Sequence, residues 1–197
     1  MYLYRTLTPE QKDEVLRYRQ LMGYPLHSPP HLHDVDGWFL ITAATYEHKR
    51  RFRTEDDRIW LLSELLKELQ ESSIPYTGWV VLPNHYHILA QCRPLSAISQ
   101  PLRRVHARTA RELNRHEGIT GRQIWYRFSD RQIRSERHYY TTLNYIHYNP
   151  TKHGYVPKPL NWACSSVHWY LEHFGIEWLR DLWREYPIRN YGKGWDW

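Results

Sequence analysis

The chain is poor in cysteine and has no long apolar run. It contains only two cysteines, Cys92 and Cys164, in 197 residues, which excludes the disulfide framework of a small secreted domain and predicts a reducing compartment. A single bridge between the two thiols stays open at this stage. No apolar stretch approaches the ~20 residues of a membrane span, and the first ten residues lack the apolar core of a secretory signal. These absences predict a cytoplasmic globular protein.

Lysine is absent between Arg93 and Arg137, yet this segment holds eleven arginines against four carboxylates. The net charge of the whole chain is +6, and its 10 Trp and 16 Tyr are many for this length. Guanidinium groups suit bidentate contacts with phosphate, and aromatic rings can stack on unpaired bases. The segment therefore predicts a nucleic-acid surface, although a solvated basic helix face would have the same composition.

Hydrophobic periodicity and turn signals divide the chain into alternating strands and helices. Strands are predicted at 37–46, 77–82, 85–92 and 123–128 (the last with an extension through 134), and helices at 9–22, 54–72, 94–116 and 135–149. The last helix is expected to stop at Asn149 because proline disfavours helical backbone in the residue before it. This order favours an α+β fold of the ferredoxin-like or RRM-like kind, a four-stranded antiparallel sheet with helices on one face.

Two histidines stand two residues apart in the predicted strand 85–92. Alternate side chains of a strand share one face, so His85 and His87 project to the same side. Two imidazoles in this relation can chelate a metal ion, but two sheet histidines satisfied by their neighbours would have the same spacing. A structural zinc site with the two cysteines is disfavoured, since no close paired spacing supports it.

The helix predicted at 135–149 carries Tyr145 and Asn149 four residues apart, hence on one edge. Together with the histidine pair they would supply two imidazoles, an amide oxygen and a phenol. Imidazole suits transition metals such as Mn²⁺, and the oxygen ligand keeps Mg²⁺ plausible.

The run Pro83-Asn84-His85-Tyr86-His87-Ile88-Leu89 resembles the His-hydrophobic-His signature of the HUH single-strand endonucleases. The run from Asn144 to Val156 is similar to the catalytic-tyrosine helix of the REP-associated tyrosine transposases, a branch of the IS200/IS605-type Y1 family. Trp125-Tyr126-Arg127-Phe128 and Trp162-Ala163-Cys164-Ser165-Ser166 also match that branch. The resemblance covers roughly residues 36–169 and implies the HUH nuclease fold.

The resemblance implies that His85, His87 and Asn149 hold a divalent ion, Mg²⁺ or Mn²⁺, and that Tyr145 is the nucleophile. The implied activity is cleavage and rejoining of single-stranded DNA at hairpin, REP-like palindromes through a 5′-phosphotyrosine, in support of transposition. The phenolic proton would pass to His138 or to water. The side chains expected to contact DNA are Arg103, Arg104, Arg108, Arg111, Arg115, Arg122, Trp125, Arg127, Arg131 and Arg134.

Three regions follow from this assignment: an N-terminal helix and connector (1–36), the catalytic domain (37–170) and a Trp- and Arg-rich C-terminal tail (171–197). His31 and His33 in the connector are interpreted as surface histidines. The expected partner is single-stranded or hairpin DNA, with a nucleoid location and a monomeric or homodimeric state. The alternative function is a regulatory module that binds repeat DNA without cutting it.

Overall fold

A four-stranded antiparallel sheet organises the chain. In the structure, a computed structural model that describes residues 7–21 and 35–193, the strands are β1 (Gly37–Ala44), β2 (Tyr76–Val81), β3 (His85–Cys92) and β4 (Ser129–Gln132). Their order in the sheet is β2-β3-β1-β4. Strands β2 and β3 form an antiparallel hairpin, and the predicted α+β, ferredoxin-like class is confirmed.

Five α-helices accompany the sheet in the described residues. They are α1 (Pro9–Leu21), α2 (Glu55–Glu71), α3 (Ser99–His116), α4 (Glu136–Lys152) and α5 (Val167–Glu185). The predictions made for residues 22–34, including those for His31 and His33, and for Trp195 and Trp197 lie outside the described residues. None of the described helices is long and apolar enough to cross a membrane.

Helices approach both faces of the sheet. On one face, the Tyr86 hydroxyl of β3 meets His106 of α3, and α2 packs beside α3. On the other face, α4 lies against β2 at Gly78, where an added Cβ would come within 2.9 Å of Leu143 Cδ1. Strand β3 is therefore covered on both sides, which explains why its sequence has little polar alternation.

Helix α2 begins where the sequence predicts. The Thr54 hydroxyl accepts from the Asp57 N–H and the Asp57 carboxylate accepts from the Thr54 N–H, which together form a capping box. The buried face of α2 carries Leu61, Leu65 and Leu69, whereas Ile59 is 48% exposed.

Several element boundaries differ from the prediction. Strand β1 ends at Ala44 rather than at 46, and α3 begins at Ser99 rather than at 94, after a 3₁₀ turn at Leu95–Ile98. The fourth strand is Ser129–Gln132 rather than 123–128, where only Trp125 forms a bridge, to Thr45. Helix α4 does not stop at Asn149 but continues through Pro150 to Lys152. A proline this close to the helix end removes one backbone hydrogen bond, and the Tyr155 N–H closes the turn on the Pro150 carbonyl at 3.0 Å.

The two cysteines are free thiols, and both are buried. Burial, with the Asp130 carboxylate nearby, raises the pKa of Cys92 to about 12. Because both thiols are free, the disulfide between them that the sequence left open is absent.

Candidate functional site

His85 and His87 are buried on the same face of β3, with ring centroids 5.1 Å apart. Each ring is held from behind through its Nδ1 atom. The Nδ1 of His87 lies 2.7 Å from the Thr42 hydroxyl of the paired strand β1. The Nδ1 of His85 lies 2.9 Å from the Asn84 Oδ1. These contacts leave both Nε2 atoms facing the opposite layer.

Helix α4 supplies the groups that the two Nε2 atoms face. Asn149 Oδ1 lies 3.2 Å from His85 Nε2, and Asn149 Nδ2 lies 3.3 Å from His87 Nε2. The Tyr145 hydroxyl, one turn earlier on α4, lies 3.4 Å from the same His87 Nε2. The structure thus brings together all four residues predicted for the catalytic centre.

The donor chemistry of this cluster fits a divalent cation. Asn84 Nδ2 donates to the His48 carbonyl at 3.2 Å, so its oxygen faces His85 and favours the tautomer with the proton on Nδ1. A lone pair on His85 Nε2 then faces the Asn149 oxygen at 3.2 Å. Two ligand atoms on one ion with bonds of about 2.1 Å lie roughly 3.0–3.4 Å apart. A shared cation would turn this unfavourable pair of acceptors into two ligands.

Metal sites built from acidic or thiol groups are not seen in the described residues. No group of three or more His, Cys, Asp or Glu side chains there is placed to hold an ion. The proposed set is therefore two imidazoles completed by the amide oxygen of Asn149.

Tyr145 is fully buried, and the residues after α5 cover it. The ring of Tyr191 packs edge-on against it at 5.5 Å, and the Lys152 ammonium lies 4.8 Å from its centroid. Gly192 sits so close that a Cβ there would come within 2.1 Å of the Tyr145 ring, and its φ of 75° also favours glycine. A phosphate can therefore reach the hydroxyl only after these residues move.

His138 does not contact the Tyr145 hydroxyl in this arrangement. Its Nε2 lies 2.9 Å from the Tyr191 hydroxyl, which also meets the Thr142 hydroxyl at 2.5 Å. His138, the candidate proton acceptor named from the sequence, is thus in hydrogen-bond contact with Tyr191, one of the residues that cover Tyr145.

The predicted DNA contacts of α3 lie on the helix that packs against the Tyr86 face, and several are neutralised. Arg104 and Arg108 bind Glu68, and Arg108 also binds Glu64 of α2 at 2.8 Å. Further along the chain Arg115 binds Glu112, and Arg122 binds Glu117, each at 2.5 Å. The remaining predicted arginines, Arg103, Arg111, Arg127, Arg131 and Arg134, are exposed.

Trp125 was predicted to stack on a base, but only 7% of it is exposed. Its ring stacks on His106 at 4.5 Å, and its Nε1 donates to the Thr109 hydroxyl at 3.0 Å. Trp125 is therefore a core residue in this arrangement, and its contact with DNA stays a prediction.

Two features beside the site were not predicted. Lys152 stands seven residues after Tyr145, two helical turns along the same edge, and that spacing would have found it. The second feature is the basic run Lys49-Arg50-Arg51-Phe52-Arg53, which lies outside the arginine-rich segment 93–137 but is evident from its own composition. Its Phe52 N–H donates to the Pro83 carbonyl at 3.0 Å, which holds the run next to the histidine strand.

Comparison with known proteins supports the resemblance seen in the sequence. No family model matches the chain. A protein of Haemophilus influenzae assigned to the REP-associated tyrosine transposases is 32% identical over 103 residues, 45% of this chain and 56% of that protein. The REP-associated tyrosine transposase of Escherichia coli is 27% identical over 122 residues, 60% of this chain and 70% of that protein. The chain thus spans little more than half the length of the Haemophilus relative.

A solved structure of a REP-associated tyrosine transposase bound to a REP hairpin has the same fold. It aligns with a TM-score of 0.60 at 22% identity, covering 74% of this chain and 86% of that one. The fold class and the resemblance to the REP-associated tyrosine transposases are confirmed.

Proposed function

We propose that this protein is a metal-dependent single-strand DNA endonuclease and transposase that cleaves and rejoins hairpin DNA. The observation that carries the proposal is the placement of one phenolic hydroxyl, that of Tyr145, 3.4 Å from His87 Nε2. That atom belongs to a convergent His-His-Asn set of the kind that holds a divalent ion. The REP-associated names of the relatives support REP-like palindromes as the substrate class.

His85 Nε2, His87 Nε2 and Asn149 Oδ1 would hold Mg²⁺ or Mn²⁺, which supplies Lewis acidity to a phosphate oxygen when bound. The contacts of Thr42 and Asn84 with the two Nδ1 atoms hold both imidazole rings in place, so that each Nε2 would be oriented for this task. Ligand orientation is thereby set before any substrate arrives.

The Tyr145 oxygen would attack the scissile phosphorus in line as the phenol gives up its proton. The new Tyr145 O–P bond replaces the bond to the departing 3′-oxygen, which takes up a proton and leaves as a 3′-hydroxyl. The 5′-phosphotyrosine conserves the diester, so attack by another 3′-hydroxyl reverses the step and joins new ends. The Lys152 ammonium, 4.8 Å from the Tyr145 ring centroid, would favour the phenolate and the charged phosphate.

The proposal extends to the partner and the organisation of the chain. The partner is hairpin or single-stranded DNA, the protein acts as a monomer or homodimer at the nucleoid, and the core of the activity lies within residues 37–170. Tyr191 and Gly192 of the C-terminal tail contribute the cover over Tyr145.

An adduct assay tests the activity. The full chain is incubated with a labelled hairpin strand and Mn²⁺ or Mg²⁺, then resolved on a denaturing gel. A shifted band that requires a metal and is lost in Tyr145→Phe supports the enzyme. Hairpin binding without an adduct in either metal would instead support the alternative, a repeat-binding module that does not cut.

A further inference from the structure

The short basic run Lys49–Arg53, called here the basic loop, is fixed rigidly to the histidine strand. The Thr45 hydroxyl donates to the Lys49 carbonyl at 2.7 Å and reaches the Asn84 carbonyl at 3.0 Å. Phe52 is fully buried. Because Asn84 also contacts His85, the loop holds a constant position relative to the proposed metal site.

Two arginines of the basic loop keep their charge available to a ligand. Arg50 and Arg53 are exposed, and neither is within ion-pair distance of a carboxylate in the described part of the chain, although the Arg53 charge contributes to lowering the pKa of Glu117. Arg51 differs, since it is half-buried and lies 3.7 Å from Glu117. The contrast with Arg104 and Arg108, both bound to Glu68, makes the loop the stronger anion site.

A line of rings leads from the metal site to this loop. The ring of His153 lies 5.0 Å from that of His85, and Tyr155 lies 6.2 Å beyond His153. The Arg50 guanidinium then sits over the Tyr155 ring at 5.4 Å. Aromatic rings can stack on the bases of a single strand, and guanidinium groups can bind its phosphates. This line of rings, which ends at exposed arginines, therefore has the chemistry that binds an unpaired nucleotide.

The line ends in a cleft of about 540 Å³ between the basic loop and the ring of Tyr155. Its lining consists of Arg50, Arg53, Arg58, Pro83, Tyr155 and Trp162. Arg58 is bound inward, donating to the Arg53 carbonyl at 2.7 Å, so Arg50 and Arg53 provide the free charge. A cleft of this size accommodates a nucleotide.

We propose that the single strand flanking the scissile phosphate lies in this cleft, with its phosphates on Arg50 and Arg53 and a base on Tyr155. This inference rests on the proposed function and assigns the flank to the basic loop instead of to α3. The Arg50 guanidinium would pass from the Tyr155 ring to a phosphate, which leaves the ring face to the base.

The first test measures binding of the full chain, without added divalent ion, to hairpins with and without single-stranded flanks. Arg50→Ala/Arg53→Ala should abolish most of the affinity that a flank adds, and lower the slope of log K against log salt by about 1.4, the value for two lost phosphate contacts on a single strand. The matched control Arg180→Ala/Arg184→Ala removes the same charge from exposed positions on α5. It should leave the flank increment unchanged, and an increment preserved in the loop variant would overturn the inference.

The second test places 2-aminopurine along the flank. Stacking on Tyr155 should quench one position, and Tyr155→Ala should relieve the quenching and weaken flank binding roughly tenfold, whereas Tyr155→Phe retains both. Thermal melting checks that the alanine variant is folded, and Arg50→Ala offers an exposed alternative if it is not. If the position that is quenched in the unmodified protein stays quenched in Tyr155→Ala, the proposed base contact with Tyr155 is contradicted.

Failure of this inference can be told apart from failure of the proposed function. Adducts formed normally by Arg50→Ala/Arg53→Ala, with an unchanged flank increment, would keep the enzyme and reject the cleft. Loss of the flank increment in a protein that forms no adduct would keep the cleft and reject the enzyme.

Discussion

Alternate residues of β3 face two helical layers, the α3 side and the α4 side. Polar side chains are buried on both sides, but the lengths of their hydrogen-bond contacts differ. On the α3 side, the Tyr86 hydroxyl lies 2.8 Å from His106 Nε2, and Trp125 Nε1 donates to the Thr109 hydroxyl at 3.0 Å. Each group there is satisfied by one near neighbour at an ordinary hydrogen-bond distance. That face is a closed polar core.

On the α4 side, the short contacts lie behind the rings and the long ones between them. Thr42 and Asn84 hold the two Nδ1 atoms at 2.7 and 2.9 Å, whereas the contacts among His85, His87, Asn149 and Tyr145 measure 3.2–3.4 Å. Groups anchored firmly from behind and loosely to one another have the spacing that the proposed cation between them would require. The two faces of β3 are equally buried but differ in their contacts. The α3 side has hydrogen bonds of ordinary length, whereas the α4 side has longer contacts that a bound cation would replace.

Removing an imidazole should separate the two faces most clearly. His85→Ala or His87→Ala should lower adduct formation by at least about 10³-fold, because several kcal/mol of metal-derived stabilisation is lost. His106→Ala on the opposite face should cost about 2 kcal/mol of folding free energy and leave metal binding intact. Gel-based cleavage rates, urea unfolding and calorimetric metal titration measure the three quantities. Normal cleavage by both β3 variants would contradict the metal role.

Acid should destabilise the α3 face through His106. Burial lowers the pKa of His106 to about 3, so between there and about 6.5 only the unfolded chain binds this proton. The free energy of unfolding should therefore fall as the pH drops below about 6.5, by up to roughly 1.4 kcal/mol per pH unit from this residue. His106→Gln should show a shallower pH slope in urea unfolding; identical slopes would show that this histidine titrates normally.

The residues that cover Tyr145 should limit the rate at which its hydroxyl reacts. Deletion of residues 188–197 should raise the single-turnover adduct rate about tenfold, because only the uncovered fraction of molecules reacts. Arg180→Ala/Arg184→Ala, on exposed positions of α5, is the control and should leave the rate unchanged. A deletion variant that stays folded and reacts no faster would show that the cover opens freely.

The smallest effect is expected from a single hydroxyl on the closed face. Tyr86→Phe removes the hydrogen bond with His106 and should cost about 1 kcal/mol of folding free energy, with no change in adduct formation. Equilibrium urea unfolding and the gel assay provide the two readouts. A large loss of cleavage would mean that the two faces are coupled through β3.

Much of the fold and the centre of the site could be predicted from local sequence. The period of two in His85–His87 and the period of four in Tyr145–Asn149 fix which side chains share a face, and such periods depend only on backbone geometry. Thr54 and Asp57 mark a helix start for the same local reason. The structure then adds the distances between the two pairs.

What sequence could not predict depends on neighbours distant in the chain. Trp125 reads as an exposed ring until Phe52 and His106 enclose it, and Arg108 reads as a DNA contact until Glu64 and Glu68 bind it. The cover of Tyr145 by Gly192 has no local signal at all. Composition indicates that arginine and aromatic residues are abundant, but tertiary packing decides which of them remain accessible.

Gly78 of β2 has a consequence for the tolerance of the centre to change. Helix α4 rests on this position, where a methyl group would press on Leu143 at 2.9 Å and Ile146 at 3.3 Å. The missing side chain lets helix α4, which carries the proposed nucleophile, approach β2 closely, and β2 is paired with β3, the strand of the two histidines. In-line attack loses about 10²-fold when groups are misplaced by about 1 Å. A larger residue at position 78 should therefore disturb the alignment of Tyr145 with His87 from outside the centre.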